Sequence, residues 1–535
     1  MPQKKDWFKL KRYPHIGLPI LNERREDVMN FIYNKVNIAH YAFLPLIRRE
    51  QITHRYKMCD DGKKRKRKKS RNISYASHLD SLIYSFYSFQ LGKKYENYLA
   101  ENKLCESIIA YRAVPRKNFG SKCNIDFAKE SFAFINEKAQ SGALGVIVSD
   151  ITSFFDNLDH RLLKYAWKKI CQKESLDDDE YNVFKNVTRF SYVYDKELFN
   201  LFKDEMVCVT KHTNKYKHKK IKRLRYCRDK NVVAFCERKD IRQIREKGLI
   251  IPNRTKDGIS KGIPQGLPIS AVLANIYMCD FDCTINAYIE SIGGMYRRYS
   301  DDVLVVCPYE KVQECKEMLK NEIEKVKLEI SENKTKTFYV HKEGDAEVKV
   351  ECNGKDSVIE YLGFAYNGRN IRIKNKGLSH YYLRMNKSIR RMIYHATHKN
   401  DKTYGFLFQN QLLKRYTPTG SKRHKIWIRR QGSKEFYNSK RYSYGNFWTY
   451  ANKAATICKD DAIRKQLKRN KAILHKKIKL AKEVVRRRIE QKQLSEIAKY
   501  NAVYSEVVTI TKSENKKLRK KIAKVIKCKR KNQKA

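Results

Sequence analysis

Two adjacent carboxylates, Asp301 and Asp302, follow Tyr299 and Ser300 between two short apolar stretches, Met295-Tyr296 and Val303 to Val306. That pattern predicts a strand, a tight turn and a returning strand, which together hold two acids at a rigid tip. Acids so placed can clamp divalent cations, and two magnesium ions held side by side can activate a 3′-hydroxyl and neutralise a departing pyrophosphate. A Tyr-x-Asp-Asp string is also an ordinary hairpin turn, so the pair alone decides nothing. A third acid ends the run Gly145-Val-Ile-Val-Ser-Asp150, which reads as a buried strand delivering a carboxylate at its carboxyl end. Phe154 and Phe155 follow on the turn. Three carboxylates brought together repel one another unless a cation neutralises them.

The chain that must position these acids has 535 residues, enough for two or three packed units, and 41% of it is hydrophobic. Its 116 Lys and Arg against 58 Asp and Glu give a net charge of +58. Such a surface repels itself unless a polyanion neutralises it, which points to nucleic acid. Membrane insertion is excluded as an expectation, because no stretch approaches the roughly 20 apolar residues of a spanning helix. With no N-terminal apolar core either, the expected location is the cytoplasm. The 14 cysteines lack paired spacing and suit a reduced compartment. Cys208, His212, His218, Cys227 and Cys236 crowd one basic stretch, but their spacing fits no standard zinc finger.

Along the chain, residues 1–60 mix an aromatic-rich start, including Tyr13-Pro14-His15, with a helical pattern through Val28, Phe31, Ile32 and Val36. Gly62 to Arg71 holds eight Lys or Arg in ten positions and reads as a solvated loop that meets phosphate or moves freely. Ile73 to Leu104 has helical spacing, with Leu79, Leu82, Ile83, Phe86 and Leu91 on one side. Residues 205–260 form a basic insertion with ten Lys or Arg between Lys211 and Lys230. Ile263 to Asp280 is a loop running into a helix, and an amphipathic helix follows at 310–330. Beyond residue 370 the chain turns helical. Residues 461–535 carry 26 Lys or Arg against six acids, with a stripe of Ile473, Leu474, Ile478, Leu480, Val484 and Ile489. The closing lysines, Lys516 to Lys534, are expected to fray without nucleic acid.

Asp150 to His160, Gly262-Ile-Pro-Gln-Gly-Leu-Pro-Ile-Ser270 with Leu273 and Asn275, and Tyr299 to Asp302, in that order, resemble the palm of prokaryotic reverse transcriptases. Leu328 to Thr335 and Tyr361-Leu-Gly-Phe364 are similar to later motifs of that family. Lys69-Ser-Arg-Asn-Ile73 resembles its finger element, and Tyr111-Arg112 the element before the palm. The resemblance covers about residues 65 to 370. It implies a right-hand polymerase of mixed α/β (α+β) class: fingers and palm over 61–370, a thumb-like helical region over 371–460, and a basic helical C-terminal extension over 461–535.

The resemblance also implies roles. Asp150, Asp301 and Asp302, with the Ile151 carbonyl, would hold two Mg2+ ions. Phe155 takes the position of the gate against a ribose 2′-hydroxyl, which favours dNTPs; Phe154 is the alternative ring for core packing. Gln265, Gly266 and Tyr299 would line the nucleotide pocket, with glycine permitting close backbone approach. Lys69 and Arg71 would neutralise the triphosphate, and a slip of one position would reassign them. Lys334 would protonate or stabilise pyrophosphate. Asp156, Asp159 and His160 match as helix-start and packing positions.

The Tyr13-Pro14-His15 start, Tyr75-x-x-His78-x-Asp80 and the lysine-rich end look like the defence-associated, unknown-group bacterial reverse transcriptases. That implies an RNA-directed DNA polymerase in antiphage defence, with a noncoding RNA as template or scaffold, a DNA product, and homo-oligomerisation left open. A retron-type enzyme, a template-independent or protein-primed polymerase using one of 35 tyrosines, and a catalytically idle RNA-binding scaffold are the alternatives. For the C-terminal region, Trp427, Tyr442, Tyr444, Trp448 and Tyr450 either stack on bases or pack a thumb helix.

Overall fold

A computed structural model describes residues 7–58, 62–116, 120–209, 215–253, 261–342, 347–398, 403–421, 425–429, 435–442, 445–508, 522–524 and 526. The chain divides into two compact units, one of residues 1–361 with 367–369, the other of 362–366 with 370–535.

In the first unit, strand β1 (Leu46–Met58) pairs antiparallel with β2 (Lys64–Tyr75) over twelve residue pairs, Ile47 opposite Tyr75 through Met58 opposite Lys64. The basic run expected to be a loop is therefore a strand. Its solvated faces leave no apolar period to read, and the partner strand supplies what its own composition does not. Glu50 of β1 accepts a hydrogen bond from Ser70 (2.8 Å) and pairs with Lys68 (3.3 Å), offsetting part of the like-charge repulsion. Two short strands, Ser191–Tyr194 and Ile251–Pro252, extend this sheet on the other side of β1.

The basic insertion also folds. Met206–Val209, Tyr216–Lys219 and Val232–Cys236 form a sheet that His15–Ile16 joins in parallel, over a core including Met206, Phe235, Leu198 and Ile244.

The central sheet is antiparallel throughout. Its strands are β3 (Leu144–Asp150), β4 (Met295–Tyr299), β5 (Asp302–Pro308), β6 (Lys336–His341), β7 (Lys349–Cys352) and β8 (Lys355–Asp356), in the order β4-β5-β3-β6-β7-β8. Strand β5 is buried from Val303 to Cys307, so both its faces are covered and it reads as an unbroken apolar run rather than an alternating one. Ile147, Val303, Val305 and Cys307 share the main core with helices His78–Glu101, Ser270–Tyr277, Cys279–Ser291 and Val312–Lys325. In His78–Glu101 the buried residues include Leu82, Ile83, Tyr87, Leu91 and Tyr95, while Leu79 and Phe86 are half-buried.

The second unit holds a hairpin of Phe364–Tyr366 with Ile371–Ile373, then helices Asn375–Ala396, Gln409–Tyr416, Phe447–Cys458 and Asn470–Val508. Its core joins Tyr381, Met385, Ile389, Leu412 and Tyr416 to Leu474, Ile478 and Ala481 of the last helix. The buried positions of that helix run 474, 478, 481 and 485, whereas Leu480 is 50% exposed. The expected stripe was thus right at Leu474 and Ile478 and wrong at Leu480, which lies off the face set by the 3.6-residue period. Most of the closing lysine run lies outside the described residues.

Candidate active site

Strand register brings two of the three acids face to face and leaves the third in the adjoining turn. Tyr299 stands opposite Asp302 across the β4–β5 turn, and Asp302 stands opposite Asp150 on β3. Directly opposed residues of an antiparallel pair project from one face about 5 Å apart at Cβ. Asp301 sits in the turn itself, where its carbonyl accepts the Ile151 N–H at 2.9 Å. All three acids are partly exposed, at one end of an otherwise buried sheet.

The chain continues past Asp150 into a second anchor. Ile151 bridges antiparallel to Ile330: Ser331 donates its N–H to the Asp150 carbonyl (2.8 Å), and Thr152 donates to the Glu329 carbonyl (2.8 Å). The Ile151 carbonyl is not used in that bridge. A single 3₁₀ turn, Glu332–Lys334, then brings the Lys334 ammonium onto the Asp150 carboxylate as a close ion pair. A counter-charge for one of the three acids is therefore built into the chain. The donor set of carboxylates and a peptide carbonyl is hard oxygen and fits magnesium in chemistry. Among the described residues no three His, Cys, Asp or Glu side chains stand together as a ready metal-binding group.

Phe154 and Phe155 are told apart by burial. Phe154 is 3% exposed and belongs to the core, while Phe155 is half-buried and packs edge-on against it at 5.6 Å. The Phe155 carbonyl accepts the Ile263 N–H (2.8 Å), the Leu158 carbonyl accepts the Gly262 N–H (2.8 Å), and His160 Nε2 donates to the Gly262 carbonyl (2.8 Å). Gly262, at φ +77°, has no room for a side chain: a Cβ would stand 2.4 Å from the Asp156 carbonyl oxygen. The Gln265-Gly266 loop is thus fastened to the turn that carries Phe155. Asp159 caps the next helix through the Arg161 and Leu162 N–H groups and pairs with Lys327 at 2.8 Å, a structural task.

Gly266 makes a close backbone approach. Its Cα faces the backbone of Ser74 on β2, and the Ser74 N–H donates to the Gln265 carbonyl at 2.8 Å. The glycine permits close approach of this loop to the end of β2. Lys69 and Arg71 lie further along β2 on one exposed face, opposite Thr53 and Gln51, while Lys68 and Ser70 on the other face are engaged by Glu50.

Tyr299 is half-buried, and burial first, then Tyr111, raises its hydroxyl above the usual phenol range. Tyr111, itself at φ +62°, shares a hydrogen bond of 3.1 Å with the Ser300 hydroxyl. Arg112 is occupied structurally, donating to Glu96 and to the Cys105 carbonyl. Sequence reasoning passed over Arg298, which is fully buried under the turn against Asp282. Its one signal was a charged residue inside a strand that had to be buried.

The two stretches read as defence-type signatures meet in one cluster. Tyr13 donates to the Ala76 carbonyl (2.8 Å), Tyr13 stacks on His78 (5.0 Å between centroids), and buried Asp80 accepts from the Tyr41 hydroxyl (2.7 Å). Cys208, Cys227 and Cys236 are buried in the insertion's own core; His218 is exposed, and His212 lies outside the described residues. In the second unit Trp448 is half-buried and donates to the Tyr416 carbonyl (3.3 Å), while Trp427 is 57% exposed. The Tyr442 side chain and all of Tyr444 lie outside the described residues. No described helix is long and apolar enough to cross a membrane.

A family model described as "Reverse transcriptase (RNA-dependent DNA polymerase)" matches residues 230–366. Among solved structures the chain is similar to apo telomerase from Candida tropicalis truncated from its C-terminal domain, at 11% identity and a TM-score of 0.33, over 66% of this chain and 61% of that one. It is also similar to telomerase from Candida albicans in complex with a TWJ fragment of telomeric RNA, at 12% identity and a TM-score of 0.30, over 68% of this chain and 54% of that one. The chain thus spans under two thirds of the length of either. No curated protein matches. The matched segment contains Gln265, Gly266, Tyr299 to Asp302 and Lys334; strand pairing adds Asp150 from outside it. Residues 230–366 of this chain carry a reverse transcriptase (RNA-dependent DNA polymerase) domain.

Proposed function

We propose that the protein is an RNA-directed DNA polymerase that extends a 3′-hydroxyl with dNTPs on an RNA template. The observation that carries this reading is the register that sets Asp302 opposite Asp150, with Asp301 in the β4–β5 turn. Asp150, Asp301, Asp302 and the Ile151 carbonyl would hold two magnesium ions, which when bound lower the proton affinity of the attacking hydroxyl and neutralise pyrophosphate. Lys334 pairs with Asp150, and would protonate or stabilise the departing pyrophosphate. Phe155, the less buried ring of its pair, would narrow the pocket where a ribose 2′-hydroxyl would sit. Lys69 and Arg71, exposed on one face of β2, would neutralise the triphosphate.

The test is magnesium-dependent dNTP incorporation on an RNA template by the wild type and by Asp301→Ala. The variant should lose activity by about 1,000-fold or more. Equal activity would reject the reading.

We further propose that the enzyme works in the bacterial cytoplasm with a dedicated noncoding RNA, in antiphage defence. The signature cluster of Tyr13, His15, Tyr75, His78 and Asp80 and the basic C-terminal region support this. Sequencing RNA that co-purifies with the protein should yield one dominant species, and Asp301→Ala should abolish protection of cells from phage. A random RNA sample, or undiminished protection, would remove the defence reading.

A further inference from the structure

The turn that carries the acids is not a relaxed one. Ser300 has φ +61°, a left-handed conformation that a serine adopts at a cost. Two groups hold it there. Tyr111 binds its hydroxyl at 3.1 Å, and Arg298 Nη1 donates to its carbonyl at 3.2 Å. Arg298 is fully buried and bidentate on Asp282, through Nε at 2.7 Å and Nη2 at 2.5 Å. Asp282 is equally buried and also accepts from the Tyr296 hydroxyl at 2.7 Å. Arg298 Nη1 further donates to Asn275 Oδ1 at 3.3 Å, and Asn275 donates to the Ala110 carbonyl at 3.0 Å, next to Tyr111. The main chain of Arg298 bonds to Ser107 and Ile109, so both holds on Ser300 spring from one network.

A buried ion pair is a poor source of stability, since desolvating two charges takes back most of their attraction. Its geometry, however, is stiff. One arm of the guanidinium is fixed by a carboxylate and the other points at the one carbonyl whose position sets the following two residues.

We propose that Arg298 is a positioning residue: neutralised by Asp282, it clamps the Ser300 carbonyl, keeps the turn left-handed, and so fixes the direction of Asp301 and Asp302. The inference rests on the polymerase reading only for its activity measurement. Arg298→Lys keeps a charge for Asp282 but cannot span both partners. The double variant Asp282→Leu with Arg298→Met removes the pair without leaving a buried charge.

Amide exchange over residues 299–302 should rise about tenfold in both variants, as a clamped turn is released. In the same proteins kcat should fall by about 100-fold, while KM for dNTP stays within about twofold, as misplaced catalytic groups dictate. Adding Ser300→Gly to Arg298→Lys should restore most of the lost kcat, because glycine takes this φ without strain. Wild-type exchange in folded variants would overturn the proposal. So would a loss of kcat that Ser300→Gly leaves untouched, which marks a general packing role. If the wild type incorporates no dNTP, the polymerase reading falls and the exchange measurement still decides the clamp.

Discussion

Gly266 lies so close to the Ser74 carbonyl that a Cβ at this glycine would stand 2.4 Å from that oxygen, at φ +119°. The palm loop is pinned to the root of the basic hairpin there, with the Gln265 carbonyl taking the Ser74 N–H. Gly266→Ala combines a backbone clash with a disfavoured φ and should cost on the order of 2–3 kcal/mol. Thermal unfolding would show it as a melting temperature lowered by several degrees, with a raised KM for dNTP. An unchanged melting temperature would show that the loop is not pinned.

Phe155 and Phe154 invite opposite outcomes. Phe155→Val opens space without removing a core ring and should raise rNTP incorporation relative to dNTP by about 10-fold or more, at little cost in stability. Phe154→Val removes a ring that is 3% exposed and should mainly destabilise, by roughly 1–3 kcal/mol. Competition between dNTP and rNTP on one template, beside a denaturation curve, separates the two.

His15 and His78 supply a pH dependence with a definite sign. Burial lowers His15 from 6.5 to about 3, with His78 adding to the shift, and burial lowers His78 from 6.5 to about 4, with Lys11 adding to it. Both are therefore neutral in the fold, whereas the unfolded chain takes up protons below about pH 6.5. Stability is accordingly full above that value and lost as pH falls through the window toward 4. Replacing His78 by Gln should shrink the difference in denaturant midpoint between pH 7 and pH 5. An unaltered difference would place the acid sensitivity elsewhere.

The C-terminal helix is a core element as well as a basic one, so cutting the chain near residue 460 would unmake the second unit. Arg486, Arg487 and Arg488 are exposed on the same helix and offer a cleaner test. Their replacement by Ala should leave the melting temperature within a degree or two and flatten the dependence of RNA affinity on salt. Each lost phosphate contact lowers the slope by about 0.7 for single strands. Unchanged slopes would assign RNA binding to other basic surfaces.

Much of the palm was legible because its chemistry and its burial leave strong local marks. An apolar run ending in Asp150 and an apolar-flanked Asp301-Asp302 are what buried strands with acids at one edge must look like. The Gly262 to Ser270 loop was readable for a related reason: glycine and proline at fixed places announce backbone that no other residue would adopt. Elsewhere local signals misled. The lysine-rich β2 has no apolar alternation, so only the partner strand reveals it as sheet, and one misplaced residue, Leu480, showed how little a stripe on a basic helix constrains its own edge.

The sequence by itself determined the three acids, their order along the chain, and the electrostatic demand for a polyanionic partner, since these depend on residue type and local pattern. Tertiary structure alone decided that Asp302 faces Asp150, that Lys334 neutralises Asp150, that Phe154 is buried while Phe155 is only half-buried, and that Arg298 sits under Ser300. Register and burial are set by packing between segments far apart in the chain, and no local pattern encodes which distant group will arrive at a given carbonyl.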